Sequence, residues 1–317
     1  MEKASVSRTS ALVTGGCGFI GSHVVDRLVG MGLQVMVMDD LSSDSNSKFY
    51  HNDKASFFKI DISDAEKVSD FFESNKVDWV FHLAAESRIQ PAIENPLYAV
   101  KVNVQGTCNL LQAARLNGVS RFIYSSTSAA YGLVHDPRLR GIPSPPLSED
   151  MKRDCLNPYS VSKCAGEDFC KIYSSLYGLN TVCFRYFNVY GERQPTRGQY
   201  APVIGLFQRQ VENGEPMTIV GDGLQKRDFT YVGDVAEANI LAAKSDDEKI
   251  FGEVFNVGSG KNYSVLDIAE MIGDNWIHIP PRLGEARVSL ADNSKIKNAL
   301  GWEPTIDIAE WIRLGNT

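Results

Sequence analysis

Thr14-Gly15-Gly16-Cys17-Gly18-Phe19-Ile20-Gly21 follows the apolar run Ala11-Leu12-Val13 and opens a helix-like stretch over 22–29. A strand that feeds a glycine turn into a helix lets backbone N–H groups and the positive helix end meet a pyrophosphate. Glycine clears the side chains that would block its approach. The spacing is G-x-x-G-x-x-G, so Gly15, Gly18 and Gly21, with Phe19 and Ile20 between them, are the expected phosphate-facing residues. About 20 residues on, where a βαβ unit places the tip of its second strand, the apolar stretch Gln34-Val35-Met36-Val37-Met38 ends in Asp39-Asp40. A carboxylate there accepts hydrogen bonds from the adenosine ribose, whereas a 2′-phosphate would meet like charge and find no adjacent arginine. The pattern predicts NAD over NADP, with Asp39 as the ribose ligand.

Outward from this unit, strand-like runs recur near 11–13, 35–38, 57–60, 79–83, 122–124 and 181–184, separated by helical patterns near 22–29, 65–73, 97–116 and 159–177. Strand alternating with helix implies an α/β fold, a Rossmann-like doubly wound parallel sheet whose ligands gather at the carboxyl ends of the strands. After Arg185 the alternation breaks down. Short helices are expected near 203–211, 235–243, 266–271, 294–300 and 308–312, and strands near 218–220 and 254–257. The division is an NAD-binding domain over 1–185, to which segments near 230–258 return, and a smaller α/β substrate-binding region over 186–317. The proline-rich stretch 132–156 reads as a border of the active site.

With 317 residues, 43% of them hydrophobic, the chain is long enough for a large core and a second small domain. A net charge of −7 argues against nonspecific nucleic-acid binding, so an anionic ligand must be held by a few placed arginines. No apolar run approaches membrane-spanning length and residues 1–10 lack a signal-peptide core, so neither membrane nor nucleic acid is an expected partner and a cytoplasmic location is the expectation. The six cysteines form no C-x-x-C pair and have no histidine partners nearby, which suggests neither a metal site nor a disulfide framework.

Asn157-Pro158-Tyr159-Ser160-Val161-Ser162-Lys163 combines helix-start chemistry with reaction chemistry. Asparagine is a favoured N-cap and proline suits the first helical position, so Tyr159 falls in the first turn with Lys163 one turn later on the same face. A neighbouring ammonium, an oxidised nicotinamide and the positive helix end all favour the phenolate. A drop of about three units from the free value near 10 needs roughly 4 kcal/mol from these together. Ser125-Ser126-Thr127-Ser128-Ala129-Ala130-Tyr131-Gly132 follows the fifth expected strand, where small hydroxyls can bond a sugar hydroxyl that loses its proton.

The glycine loop, Asp39, Asp61-Ile62, His82-Leu83-Ala84-Ala85, Ser125-Ser126-Thr127, Tyr159 with Lys163, and Arg185-Tyr186-Phe187-Asn188-Val189-Tyr190-Gly191 together resemble the extended short-chain dehydrogenase/reductase family, specifically its nucleotide-sugar 4-epimerases. The likeness runs on through Arg227-Asp228-Phe229, Pro281-Arg282-Leu283-Gly284-Glu285 and Leu300-Gly301-Trp302, nearly the whole chain. It implies that Tyr159 removes the proton of the sugar 4-hydroxyl, that Lys163 lowers its pKa and holds the nicotinamide ribose, and that Thr127 steadies the proton. Hydride passes from C4 to NAD and returns to the opposite face of a 4-keto sugar that has swung about its diphosphate. The resemblance adds Asp61, Ile62, Leu83, Ala84, Ala85, Asn103, Ser125 and Tyr186 to the cofactor contacts. For the UDP-sugar it names Ser87, Asn188, Arg227 and Arg282 near the sugar and diphosphate, Glu285 on the uridine ribose, and Thr218 and Val220 beside uracil.

Two departures separate this chain from sibling enzymes. Nucleotide-sugar 4,6-dehydratases carry Asp-Glu directly after the threonine, and UDP-glucuronate decarboxylases carry a glutamate at the second of those places; here Ser128 and Ala129 stand there. Epimerases confined to UDP-glucose and UDP-galactose often have a tyrosine where this chain aligns Ser289, and the smaller side chain leaves room for a 2-acetamido group. The resemblance therefore implies UDP-GlcNAc/UDP-GalNAc epimerisation, with UDP-Glc/UDP-Gal alongside, in a homodimer built on the helices near 97–116 and 159–177. The alternatives left open are a nucleotide-sugar dehydratase or reductase, a UDP-glucuronate 4-epimerase, and a noncatalytic NAD-binding scaffold.

Overall fold

The computed structural model describes residues 9–43, 48–132, 145–196, 201–282 and 286–315. Its first half runs β1 (Ser10–Thr14), α1 (Phe19–Gly30), β2 (Gln34–Met38), β3 (Ser56–Phe58), α2 (Ala65–Ser74), β4 (Trp79–His82), α3 (Ile89–Glu94) and α4 (Pro96–Val100). A π-helical turn (Lys101–Gly106), α5 (Thr107–Leu116), β5 (Arg121–Thr127), α6 (Pro158–Tyr177) and β6 (Thr181–Tyr186) follow. Beyond β6 come β7 (Val189–Tyr190), α7 (Val203–Glu212), β8 (Met217–Val220), β9 (Lys226–Asp228), β10 (Thr230–Tyr231), α8 (Val232–Lys244) and β11 (Glu253–Val257). The chain ends in β12 (Asn262–Ser264), α9 (Val265–Ile272), β13 (Trp276–Ile279), α10 (Ser294–Leu300) and α11 (Ile308–Arg313).

Seven parallel strands form one sheet in the order β11-β6-β5-β4-β1-β2-β3. Such a sheet is covered on both faces, which is why its strands read as near-continuous apolar runs instead of alternating ones. One face buries Val24, Val25 and Leu28 of α1 together with Val235 and Ala238 of α8. The other buries Val68, Phe71 and Phe72 of α2, Leu110 and Leu111 of α5, and Cys170 of α6. A third core, including Tyr190, Phe207, Ile219, Ile268 and Trp311, belongs to the C-terminal region, whose short strands pair as β7 with β10, β8 with β13, and β9 with β12. Strand order reverses between β1 and β4, and a crevice at that switch point is where such sheets bind ligands.

Several elements differ from the sequence expectation. The helix expected over 97–116 is interrupted by the π turn, which holds one extra residue per turn and rotates Asn103 inward to 1 % exposure. Strand β5 extends through Thr127, so the hydroxyl run is part of the strand, its side chains alternating between faces. The short strands β7, β9, β10, β12 and β13 and the helix α3 carry too little periodicity to be read locally.

Candidate active site

A cavity of about 780 Å³ opens over the carboxyl ends of β1, β2, β4, β5 and β6 and runs to the C-terminal region. Register explains the convergence: Thr14 pairs with both Met38 and His82, and His82 with Tyr124, so β1, β2 and β4 end at one level, while β5 and β6 run three residues further to the paired Thr127 and Tyr186 and wall one side of the crevice. At its floor Gly15 has φ +68°, and a Cβ there would lie 2.7 Å from the Ala84 amide nitrogen, so only glycine lets the loops after β1 and β4 touch. Gly18 starts α1 without a side-chain cap and without an acidic residue in the first turn, leaving the N-terminal amides directed at a ligand. At the tip of β2 the Asp39 carboxylate accepts from the Cys17 amide at 3.0 Å and the Leu41 amide at 2.9 Å, while burial raises its pKa. A glycine cradle, an uncapped helix start and a ribose-facing carboxylate around one crevice fit NAD.

Of the residues the sequence assigns to the cofactor, Gly15, Gly18, Phe19, Ile20, Gly21, Asp39, Asp61, Ile62, Leu83, Ala84, Ala85, Ser125, Tyr159, Lys163 and Tyr186 all line the cavity. Asn103 does not: behind the wall it accepts from the Glu86 amide at 2.8 Å and donates to the Glu86 carbonyl and the Ser162 hydroxyl, both at 2.9 Å. It therefore ties the loop after β4 to α6. Of the substrate positions, Ser87, Thr127, Asn188, Arg227, Arg282 and Ser289 line the cavity. Thr218 and Val220 lie in β8 outside it; Thr218 is engaged instead by Gln210, which accepts from its amide and donates to its hydroxyl at 3.0 Å each. Glu285 lies outside the described residues, as does 133–144 of the proline-rich stretch.

Helix α6 brings the reacting groups together. Asn157 caps it, accepting from the Ser160 amide at 2.9 Å, and Pro158 occupies its first position. One turn apart, Tyr159 and Lys163 face the cavity, and the Tyr159 hydroxyl is hydrogen-bonded to Thr127 at the end of β5. The expected depression of the Tyr159 pKa is not supplied by the chain. Burial drives it above 10, the Thr127 hydrogen bond opposes that, and the Glu86 charge adds to the rise. Lys163 is 3 % exposed, and burial lowers its pKa to about 8. Beside them Ser125 shares a 3.1 Å hydrogen bond with the Tyr186 hydroxyl, which Asn239 also anchors. His82 is held neutral by burial between Thr14 (2.8 Å) and Thr107 (2.9 Å). Because Thr107 donates to the Asn103 carbonyl, His82 Nε2 carries the proton and Nδ1 accepts from Thr14.

The sequence reading passed over Glu86, Arg88, Ala201, Pro202 and Phe229, which also line the cavity. The Glu86 and Arg88 ion pair (3.2 Å) directly follows the His82-to-Ala85 motif, and adjacent opposite charges at a strand exit were the available signal.

Residues 11–258 match the model of the NAD dependent epimerase/dehydratase family. Over 310 residues, 95% of either chain, the protein is 37% identical to a putative UDP-glucose 4-epimerase of Methanocaldococcus jannaschii. Among solved structures it is similar to the UDP-glucose 4-epimerase of Thermus thermophilus in complex with NAD (TM-score 0.86, 34% identity, 97% of this chain and 98% of that one). It is likewise similar to the UDP-N-acetylglucosamine 4-epimerase of Methanobrevibacter ruminantium in complex with UDP-N-acetylmuramic acid (TM-score 0.85, 34% identity, 97% of each). With its glycine cradle, its Asp39 and its paired Tyr159 and Lys163 at one strand-end crevice, this chain belongs to the NAD dependent epimerase/dehydratase family and is an NAD-dependent epimerase.

Proposed function

We propose that the protein is a UDP-sugar 4-epimerase that interconverts UDP-GlcNAc and UDP-GalNAc and turns over UDP-Glc and UDP-Gal alongside. The observation that carries the sugar assignment is Ser289. It lines the cavity that Tyr159 faces, is 7 % exposed, and is fixed by donors from the Asp228 amide (3.3 Å) and the Asn188 side chain (3.4 Å). A hydroxymethyl group held in this way leaves volume that a phenol ring would fill, and a 2-acetamido group needs that volume.

When bound, NAD supplies the hydride acceptor at C4 and a positive charge beside the phenol. Tyr159 takes the 4-hydroxyl proton, an action aided by that charge because its own surroundings raise its pKa. Thr127, hydrogen-bonded to Tyr159, holds the proton's path, and Lys163 meets the nicotinamide ribose. Asn188, Arg227 and Arg282 hold the diphosphate about which the oxidised sugar turns; arginine suits paired phosphate contacts. Directly after Thr127 the cavity wall continues as Ser128 and Ala129, with no carboxylic acid there to eliminate water.

Exposed apolar residues on the outer faces of α4 (Leu97, Val100) and α6 (Val161, Ile172, Leu176) support a homodimer. Six free thiols suit a reducing cytoplasmic setting. The test is proton NMR of purified protein with UDP-GlcNAc, UDP-Glc or UDP-GlcA and no added NAD, following the anomeric signals. Growth of the UDP-GalNAc signal supports the proposal. Conversion of UDP-Glc or UDP-GlcA alone overturns the sugar assignment, and no conversion in any tube, even with NAD supplied, overturns the epimerase reading.

A further inference from the structure

Lys163 is almost wholly buried, yet its ammonium forms no hydrogen bond or ion pair among the described residues. What meets the charge is a ring face: Nζ lies 4.4 Å from the centroid of Tyr124, a residue of β5 that is 0 % exposed. We propose that Tyr124 is a positioning residue for the reaction, its π face holding the Lys163 ammonium charged and aimed into the cavity. This rests on the reading of Lys163 given above.

Three features of the packing hold that ring in place. A Cβ on Gly166 of α6 would lie 2.1 Å from the Tyr124 hydroxyl oxygen, so the missing side chain at 166 is what lets the ring lie against the helix. The same hydroxyl donates to the Lys163 carbonyl at 3.2 Å, joining ring and lysine backbone. The His82 ring stands 5.6 Å from that of Tyr124, tilted against it by 47°. His82 is neutral, with both nitrogens committed to Thr14 and Thr107, so no second cation competes for the same π electrons.

The remaining groups around Lys163 are Tyr159, Glu167 and Cys170 of α6 and Cys183 of β6. Glu167 is already held by Arg185 at 2.7 and 2.9 Å and accepts from Ser126 at 2.5 Å, so its charge is largely spent on its own partners. Tyr124 stays a neutral phenol, since burial pushes its pKa well above 10. A cation over a desolvated ring is favoured by an amount that opposes part of the burial penalty on the ammonium.

The test replaces the ring electronics without changing its shape: Tyr124→Phe, and Tyr124→3,4,5-trifluorophenylalanine by site-specific incorporation. Lys163 is followed in cofactor-loaded protein by its ε-carbon resonance in [13C]lysine-labelled samples, assigned by its loss in Lys163→Arg, and kcat is measured against pH in parallel. Phe at 124 is expected to leave the lysine titration close to that of the unaltered protein. The trifluoro ring is expected to lower the lysine pKa by about half a pH unit or more, with the kcat profile shifting in step. Equal lysine titration in the two aromatic variants overturns the proposal, because loss of the hydroxyl or general loosening would affect both alike. If the unaltered protein epimerises no UDP-sugar, the reading of the site fails instead, and the lysine resonance still reports on the ring contact.

Discussion

Lys163→Met should make the cofactor-free protein more stable while abolishing turnover. The unfolded chain holds this lysine with a pKa of 10.5, whereas burial brings it to about 8 in the fold. Keeping the ammonium charged at pH 7 therefore costs about 3 kcal/mol of folding stability. Methionine occupies similar volume without charge, and it forfeits the contact with the Tyr124 ring, which offsets roughly 1 kcal/mol. The expected net gain is about 2 kcal/mol at pH 7. Because the folded-state pKa lies below the unfolded one, the unfolded chain carries the extra proton between about pH 8 and 10.5, and the native protein gains stability as pH rises through that window. The variant lacks this gain, so the difference between the two proteins should shrink and vanish by the top of the window. Urea denaturation of nucleotide-free samples from pH 7 to 10 measures both. A variant less stable at pH 7, with a gap that stays flat across the range, would refute a charged and desolvated Lys163.

Tyr159→Phe should lower kcat by several orders of magnitude while NAD remains bound, read by NMR turnover and by the nucleotide released on denaturation; full activity would remove Tyr159 from the mechanism. Gly15→Ala forces a side chain onto φ +68° and toward the Ala84 amide 2.7 Å away, so it should destabilise the fold by about 1–3 kcal/mol and abolish NAD retention. Normal nucleotide content in that variant would contradict the cradle geometry. Ser289→Tyr should remove activity on UDP-GlcNAc at least tenfold more than on UDP-Glc, compared as kcat/KM ratios; an equal loss on both would separate Ser289 from the acetamido group.

Where the chemistry depends on neighbours along the chain, the sequence alone determined it. The glycine turn between β1 and α1, the carboxylate at the tip of β2, the capped start of α6, and Tyr159 one turn before Lys163 are all fixed by local backbone geometry, so spacing suffices to read them. The parallel sheet was legible for a related reason: strands buried on both faces leave apolar runs that need no partner to be recognised. Only the tertiary structure decided which polar groups face the cavity and what surrounds them. Asn103 reads as a cofactor ligand, yet the π turn rotates it behind the wall, and Thr218 reads as a base contact, yet Gln210 takes it. Tyr159 reads as a lowered phenol, yet burial and Glu86 raise it, because desolvation belongs to the assembled cavity and not to the helix that carries the residue. Tyr124 and Lys163 stand 39 positions apart in sequence, and their contact exists because α6, thinned at Gly166, docks flat on β5. Such a meeting is set by the packing of two elements whose local patterns carry no record of each other.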